Sequence, residues 1–141
     1  MGAIEPARRS AKVTLMKSLL TIAAVLEAAT GVALLILPAL LFSLLLGARL
    51  DHPTEVIVCR VGGAALVALG VACWRARLDG RSRAATGIVA ALLFYNVAAV
   101  VILLDARLGE ALGGIGLWPV IVLHAALAGW CFACLRPAHL S

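Results

Sequence analysis

Four apolar runs, each long enough to cross a lipid bilayer, occupy most of this chain, and each is interrupted by one polar residue: Glu27, Arg60, Asn96 and His124. A helix needs about 20 predominantly apolar residues to traverse the hydrocarbon core. The runs at 18–37, 56–74, 84–104 and 117–135 meet that length. With 64% of 141 residues hydrophobic and 13% charged, the composition excludes a soluble domain, in which roughly a quarter of residues are charged. Only structures that satisfy every backbone N–H and C=O internally can span a bilayer. The expectation is therefore an all-α fold, a four-span transmembrane helix bundle. An ionisable group at mid-membrane costs about 2.5–3.5 kcal/mol on insertion scales, so the ionisable interruptions call for a partner or a function.

Charge placement sets the expected topology. Nine of the twelve basic residues, Arg8, Arg9, Lys12, Lys17, Arg75, Arg77, Arg81, Arg83 and Arg136, flank one end of the spans, and Arg49, Arg60 and Arg107 lie toward the other. The positive-inside rule then puts both termini and the second loop in the cytoplasm. Three segments follow: a basic arm over 1–17, a transmembrane domain over 18–135, and a short cytoplasmic tail over 136–141. The basic residues border spans, so their topological role accounts for the net charge of +5 and no nucleic-acid partner is expected. The first run is too long for a signal peptide, contains Glu27, and lacks a small-x-small cleavage site, so it reads as a retained helix.

Pro38 removes a backbone hydrogen bond and ends or bends the first span. The stretch from Pro38 to Gly47 is too short to cross again; it continues a kinked helix or lies in the interface, the latter preferred, with Gly47 as its stop. The second span begins near Thr54 or Glu55 and carries Gly62, Gly63, Ala64, Ala65, Ala68 and Gly70, small residues that let membrane helices approach closely. The loop before the fourth span, with Gly109, Gly113, Gly114 and Gly116, reads as flexible. Trp118 and Pro119 open the fourth span, Trp at the interface and Pro in the first turn. Trp74 is the matching interfacial residue on the second span, and Trp130 is expected to be packed.

At a rise of about 1.5 Å per residue, Glu27 lies roughly 15 Å below the outer surface, Asn96 about 12, His124 about 10 and Arg60 about 7. One polar residue per helix at similar depth suggests a single interior site. Two readings stand side by side. In the first, Glu27 pairs with Arg60 while Asn96 and His124 complete the hydrogen bonds, and the network only fixes helix register. In the second, Glu27, Arg60, Tyr95, Asn96, Trp118 and His124 line a ligand site for a small polar or amphipathic molecule, an ion or a lipid headgroup, with Tyr95 and Trp118 at its rim. Alternatives are a small proton- or ion-coupled transporter and a structural subunit of a larger membrane complex or homo-oligomer. Catalysis is not indicated. No metal or cofactor is expected, because His52 and His139 are not at ligand spacing with His124.

Cys131 and Cys134 form a C-x-x-C pair, but near the cytoplasmic end of a span, without the βαβ setting that makes such thiols reactive. Membrane oxidoreductases of the vitamin K epoxide reductase type also need a second cysteine pair in an outer loop, and here only Cys59 is near that side. The four cysteines, Cys73 included, read as packing residues.

Glu27 through Gly31 with Pro38 and Leu46 and Gly47, the Arg60 to Gly70 segment with Trp74, Tyr95 and Asn96, and Trp118 and Pro119 with His124 together resemble the small bacterial four-helix inner-membrane proteins called DoxX-like, and more closely a related family of uncharacterised membrane proteins. That resemblance covers nearly the whole chain and implies a four-span bundle in a bacterial inner membrane, with no agreed activity. Small multidrug transporters also carry a Glu in the first of four spans. This chain lacks their aromatic pattern around it and has Arg60 where they have no such charge.

Overall fold

The computed structural model describes residues 4–136, with five helices: α1 (Ile4–Ile36), α2 (Pro38–Leu46), α3 (Pro53–Ala76), α4 (Arg83–Leu108) and α5 (Leu117–Leu135). The segments Ser10–Ile36, Pro53–Ala76, Arg83–Leu108 and Leu117–Leu135 are long and apolar enough to cross a membrane. The protein is therefore an all-α, four-span membrane protein. From Ile4 onward α1 runs through the expected basic arm and into the first span without a break. Residues 137–141 of the anticipated tail, His139 among them, lie outside the described residues.

Pro38 does end the first span. Leu37 leaves helical geometry at φ −127° and ψ 51°, and Pro38 takes the first position of α2, where a missing N–H loses nothing. Leu40 and Leu44 of α2 are exposed while Pro38 is buried. Gly47 closes α2 in the left-handed region at φ 69°, its N–H donating to the Ser43 carbonyl at 2.9 Å.

The glycine-rich loop expected to be flexible is instead bonded to α2. The N–H groups of Gly113, Gly114 and Gly116 donate to the carbonyls of Leu46, Leu45 and Leu44 at 2.9, 3.0 and 2.9 Å. These are last-turn carbonyls that no intrahelical donor can reach. A Cβ on Gly114 would sit 2.1 Å from the Leu44 oxygen, so only glycine permits the contact.

α1 packs mainly on α3, and α4 on α5. The first crossing is backbone against backbone. A Cβ on Gly31 would meet the Gly63 carbonyl oxygen at 2.5 Å, and one on Gly70 would meet the Ala24 carbonyl oxygen at 2.9 Å. Small residues drive such close membrane packing, where no hydrophobic effect separates helix from lipid. The buried core joins the two pairs in the half of the bundle nearer the chain termini: Met16, Leu19, Leu20, Ala23 and Ala24 meet Cys73, Ala76, Ala85, Val89, Leu92, Leu127, Cys131 and Cys134.

That same end is tied by cations. The Lys12 Nζ donates to the Arg136 carbonyl at 3.1 Å, and the Arg81 Nη1 to the Cys134 carbonyl at 2.9 Å, both at the carbonyl-rich end of α5 where positive charge is favoured. Ser82 caps α4 by accepting from the Ala85 N–H at 3.0 Å. Trp74 is exposed beneath the Arg77 guanidinium, 3.5 Å from the ring centroid, as an interfacial residue should be. Trp130 packs against the core, and its indole N–H finds no partner among the described residues.

Candidate functional site

The site begins immediately above the apolar core. Asn96 is 1% exposed and sits one turn beyond Leu92 on α4. Its Nδ2 donates to the Leu92 carbonyl at 2.8 Å. Because a carbonyl can only accept, this bond fixes the amide orientation and turns Oδ1 toward α5. There the His124 Nδ1 lies 2.8 Å from Asn96 Oδ1. Oδ1 can only accept, so Nδ1 carries the proton, and in the neutral ring Nε2 is left as an acceptor. Tyr95 packs edge-on against the imidazole, with centroids 5.5 Å apart and planes at 82°. Three of the anticipated residues are thus assembled by the α4 and α5 pair alone.

Glu27 is 4% exposed and comes from α1, one turn beyond the core residues Ala23 and Ala24. Its burial puts it on the inner side of the bundle.

Arg60 does not join them. Gly31 of α1 faces Gly63 of α3 in the crossing. Glu27, four residues deeper, is therefore level with Val67, which lies about 10 Å along the helix from Arg60 at 1.5 Å per residue. Arg60 is exposed, and it lines a groove with Leu50, Asp51, His52, Pro53, Val56 and Ile57. The two side chains anticipated to pair are thus separated by two turns, because the backbone crossing, which the sequence does not reveal, sets their relative height. Trp118 also departs from the anticipated rim. It is 53% exposed, while its neighbour Leu117 is buried. At 100° per residue it points roughly 120° away from His124 on α5.

What the structure joins is a phenol and an imidazole held by a buried amide, with the Glu27 carboxyl buried on α1. Among the described residues no cluster of three His, Cys, Asp or Glu side chains could hold a metal ion. The Asn96 to His124 bond and the role of the Leu92 carbonyl were not foreseeable as contacts; only the matching depths of the two polar residues hinted at them. No family model matches the chain, and no curated protein and no solved structure matches it.

Proposed function

We propose that Glu27, Tyr95, Asn96 and His124 form a binding site, within the membrane, for a small amphipathic molecule that donates hydrogen bonds and carries positive charge. The observation that carries this reading is the arrangement of acceptors. Asn96 donates one N–H to Leu92 and accepts from His124, and among the described residues no hydrogen bond engages the imidazole Nε2 or the buried Glu27 carboxyl, which leaves both as acceptors for a guest. A buried carboxylate with no ion pair among the described residues favours a cationic visitor. Arg60 and Trp118, anticipated as part of the site, do not belong to it in this reading.

The reading fits the DoxX-like resemblance, which implies a bacterial inner-membrane protein, and the basic-residue bias, which would put both termini in the cytoplasm. A proton- or ion-coupled transporter is the rival. It needs a wet path from Glu27 to the terminal end, and the core of Leu, Ala, Val and Met side chains closing that end argues for binding without passage. The test uses purified protein in detergent with decylammonium as probe and decanoate as its anionic counterpart. Decylammonium should raise the melting temperature of the wild type and leave Glu27→Gln and His124→Ala unaffected, while decanoate should do nothing to any of them. Equal stabilisation by both probes, or an undiminished response in Glu27→Gln, would overturn the proposal.

A further inference from the structure

The groove around Arg60 is separate from the mid-membrane group and presents different chemistry. It encloses about 460 Å³ between the 48–52 loop and the first two turns of α3, with Leu50, Pro53, Val56 and Ile57 as apolar walls and Asp51, His52 and Arg60 as its polar groups. Among the described residues no carboxylate pairs with Arg60, which is exposed. It lies about 10 Å along the helix from Pro53, inside the span, where an unpaired guanidinium is unfavourable unless it reaches an anion at the membrane boundary.

Asp51 stands nearer the water, just before the start of α3. Its place is fixed by backbone bonds, since the Glu55 Oε2 accepts from the N–H groups of Asp51 and His52 at 2.9 and 3.1 Å. The rim is thus a defined turn, with Glu55 already engaged. Deeper than Arg60, Val61, Ala64, Ala68 and Val71 continue from the groove as exposed apolar surface along α3, in the hydrocarbon layer.

From the deep end outward the order is therefore apolar strip, cation, carboxylate. We propose that this groove docks a phospholipid with a primary-amine headgroup, its acyl chain along Val61, Ala64, Ala68 and Val71, its phosphodiester on Arg60 and its ammonium on Asp51. In such a lipid the chain, the phosphate and the ammonium follow one another in the same order and at the same level of the membrane. Arg suits the phosphate because its planar fork can give two parallel hydrogen bonds. Asp51 discriminates among headgroups: it repels a purely anionic lipid, and a quaternary choline offers it no N–H donor.

Native mass spectrometry tests this on the full chain, extracted from vesicles containing equal parts phosphatidylethanolamine, phosphatidylglycerol and phosphatidylcholine. The wild type should retain phosphatidylethanolamine over the other two by roughly threefold to fivefold, the range that an exposed ion pair supplies. Arg60→Gln should lower retention of all three, and Asp51→Asn should erase the preference for the amine while keeping phosphate-dependent retention. Equal retention of the three lipids by the wild type, or an unchanged ratio in Asp51→Asn, would overturn the proposal. Displacement of the bound lipid by low-millimolar glycerophosphoethanolamine would likewise remove the acyl strip from it. Should Arg60→Gln not fold, the headgroup ratio in Asp51→Asn decides alone.

Discussion

Replacing Gly31 by alanine places a carbon 2.5 Å from the Gly63 carbonyl oxygen and 2.8 Å from the Val67 side chain. Ordinary contact begins near 3.4 Å, and the opposing atom is backbone, so the helices themselves must part. A gap of about 1 Å along the crossing forfeits a quarter to a half of each dispersion contact it touches, and overpacking of this kind typically costs about 1–3 kcal/mol. Gly63→Ala meets the Gly31 carbonyl oxygen at 2.7 Å and should cost a similar amount. Once either methyl has spread the pair, the second finds room. The double variant should therefore lose less than the sum of the singles, by at least about 0.5 kcal/mol. Gly62→Ala and Gly129→Ala are the controls: nothing lies within 4 Å of a Cβ at either position, and both are helical. Alanine there should be neutral or stabilising by up to about 1 kcal/mol. Reversible unfolding in mixed micelles, followed by helical circular dichroism, measures all five proteins. A Gly31→Ala protein as stable as Gly62→Ala would refute the backbone crossing, and with it the relative heights of Glu27 and Arg60.

Glu27→Gln and Arg60→Gln, about 10 Å apart by helix rise, should change stability additively, and a coupling above about 1 kcal/mol in their double-mutant cycle would show that they meet. Asn96→Ala and His124→Ala should instead couple by about 0.5–1.5 kcal/mol, the range for hydrogen bonds between membrane helices. Gly114→Ala should accelerate hydrogen exchange at the amides of Gly113, Gly114 and Gly116, because the added Cβ cannot coexist with the Leu44 carbonyl; unaltered protection would mean the loop is not bonded to α2. Single cysteines at Asp51 and Glu110 should label from one side of the membrane and one at Arg81 from the other. Opposite labelling of Asp51 and Glu110 would contradict the four-span order.

The sequence carried the spans clearly because length and hydropathy are one-dimensional properties, and 117–135 coincides with α5 at both ends. Pro38 and Gly47 were readable for a similar reason, since proline and glycine act on the local backbone wherever they stand. The site was half legible. Depth along each helix could be counted, which put Glu27, Asn96 and His124 in one layer, but rotation about the helix and the height of one helix against another could not. Both errors are of that kind. Arg60 was assigned to the interior although the contact of Gly31 with Gly63 sets it two turns from Glu27, and Trp118 was assigned to the rim although its azimuth on α5 points it outward. The loop of Gly109, Gly113, Gly114 and Gly116 was read as mobile from composition. Gly113, Gly114 and Gly116 instead serve a close approach to α2, a partner remote in the chain.

The two helix pairs are joined at both extremities. Three loop amides bind the last turn of α2 at one end, and Lys12 and Arg81 hold the end of α5 at the other. A body fixed at top and bottom has lost the tilting modes by which halves of a bundle swing past one another, and keeps bowing at the waist. The waist is the layer of Asn96 and His124. On the proposed reading, a guest would enter there sideways, between α1 or α3 and the α4 and α5 pair, from the lipid phase and not down an axial channel.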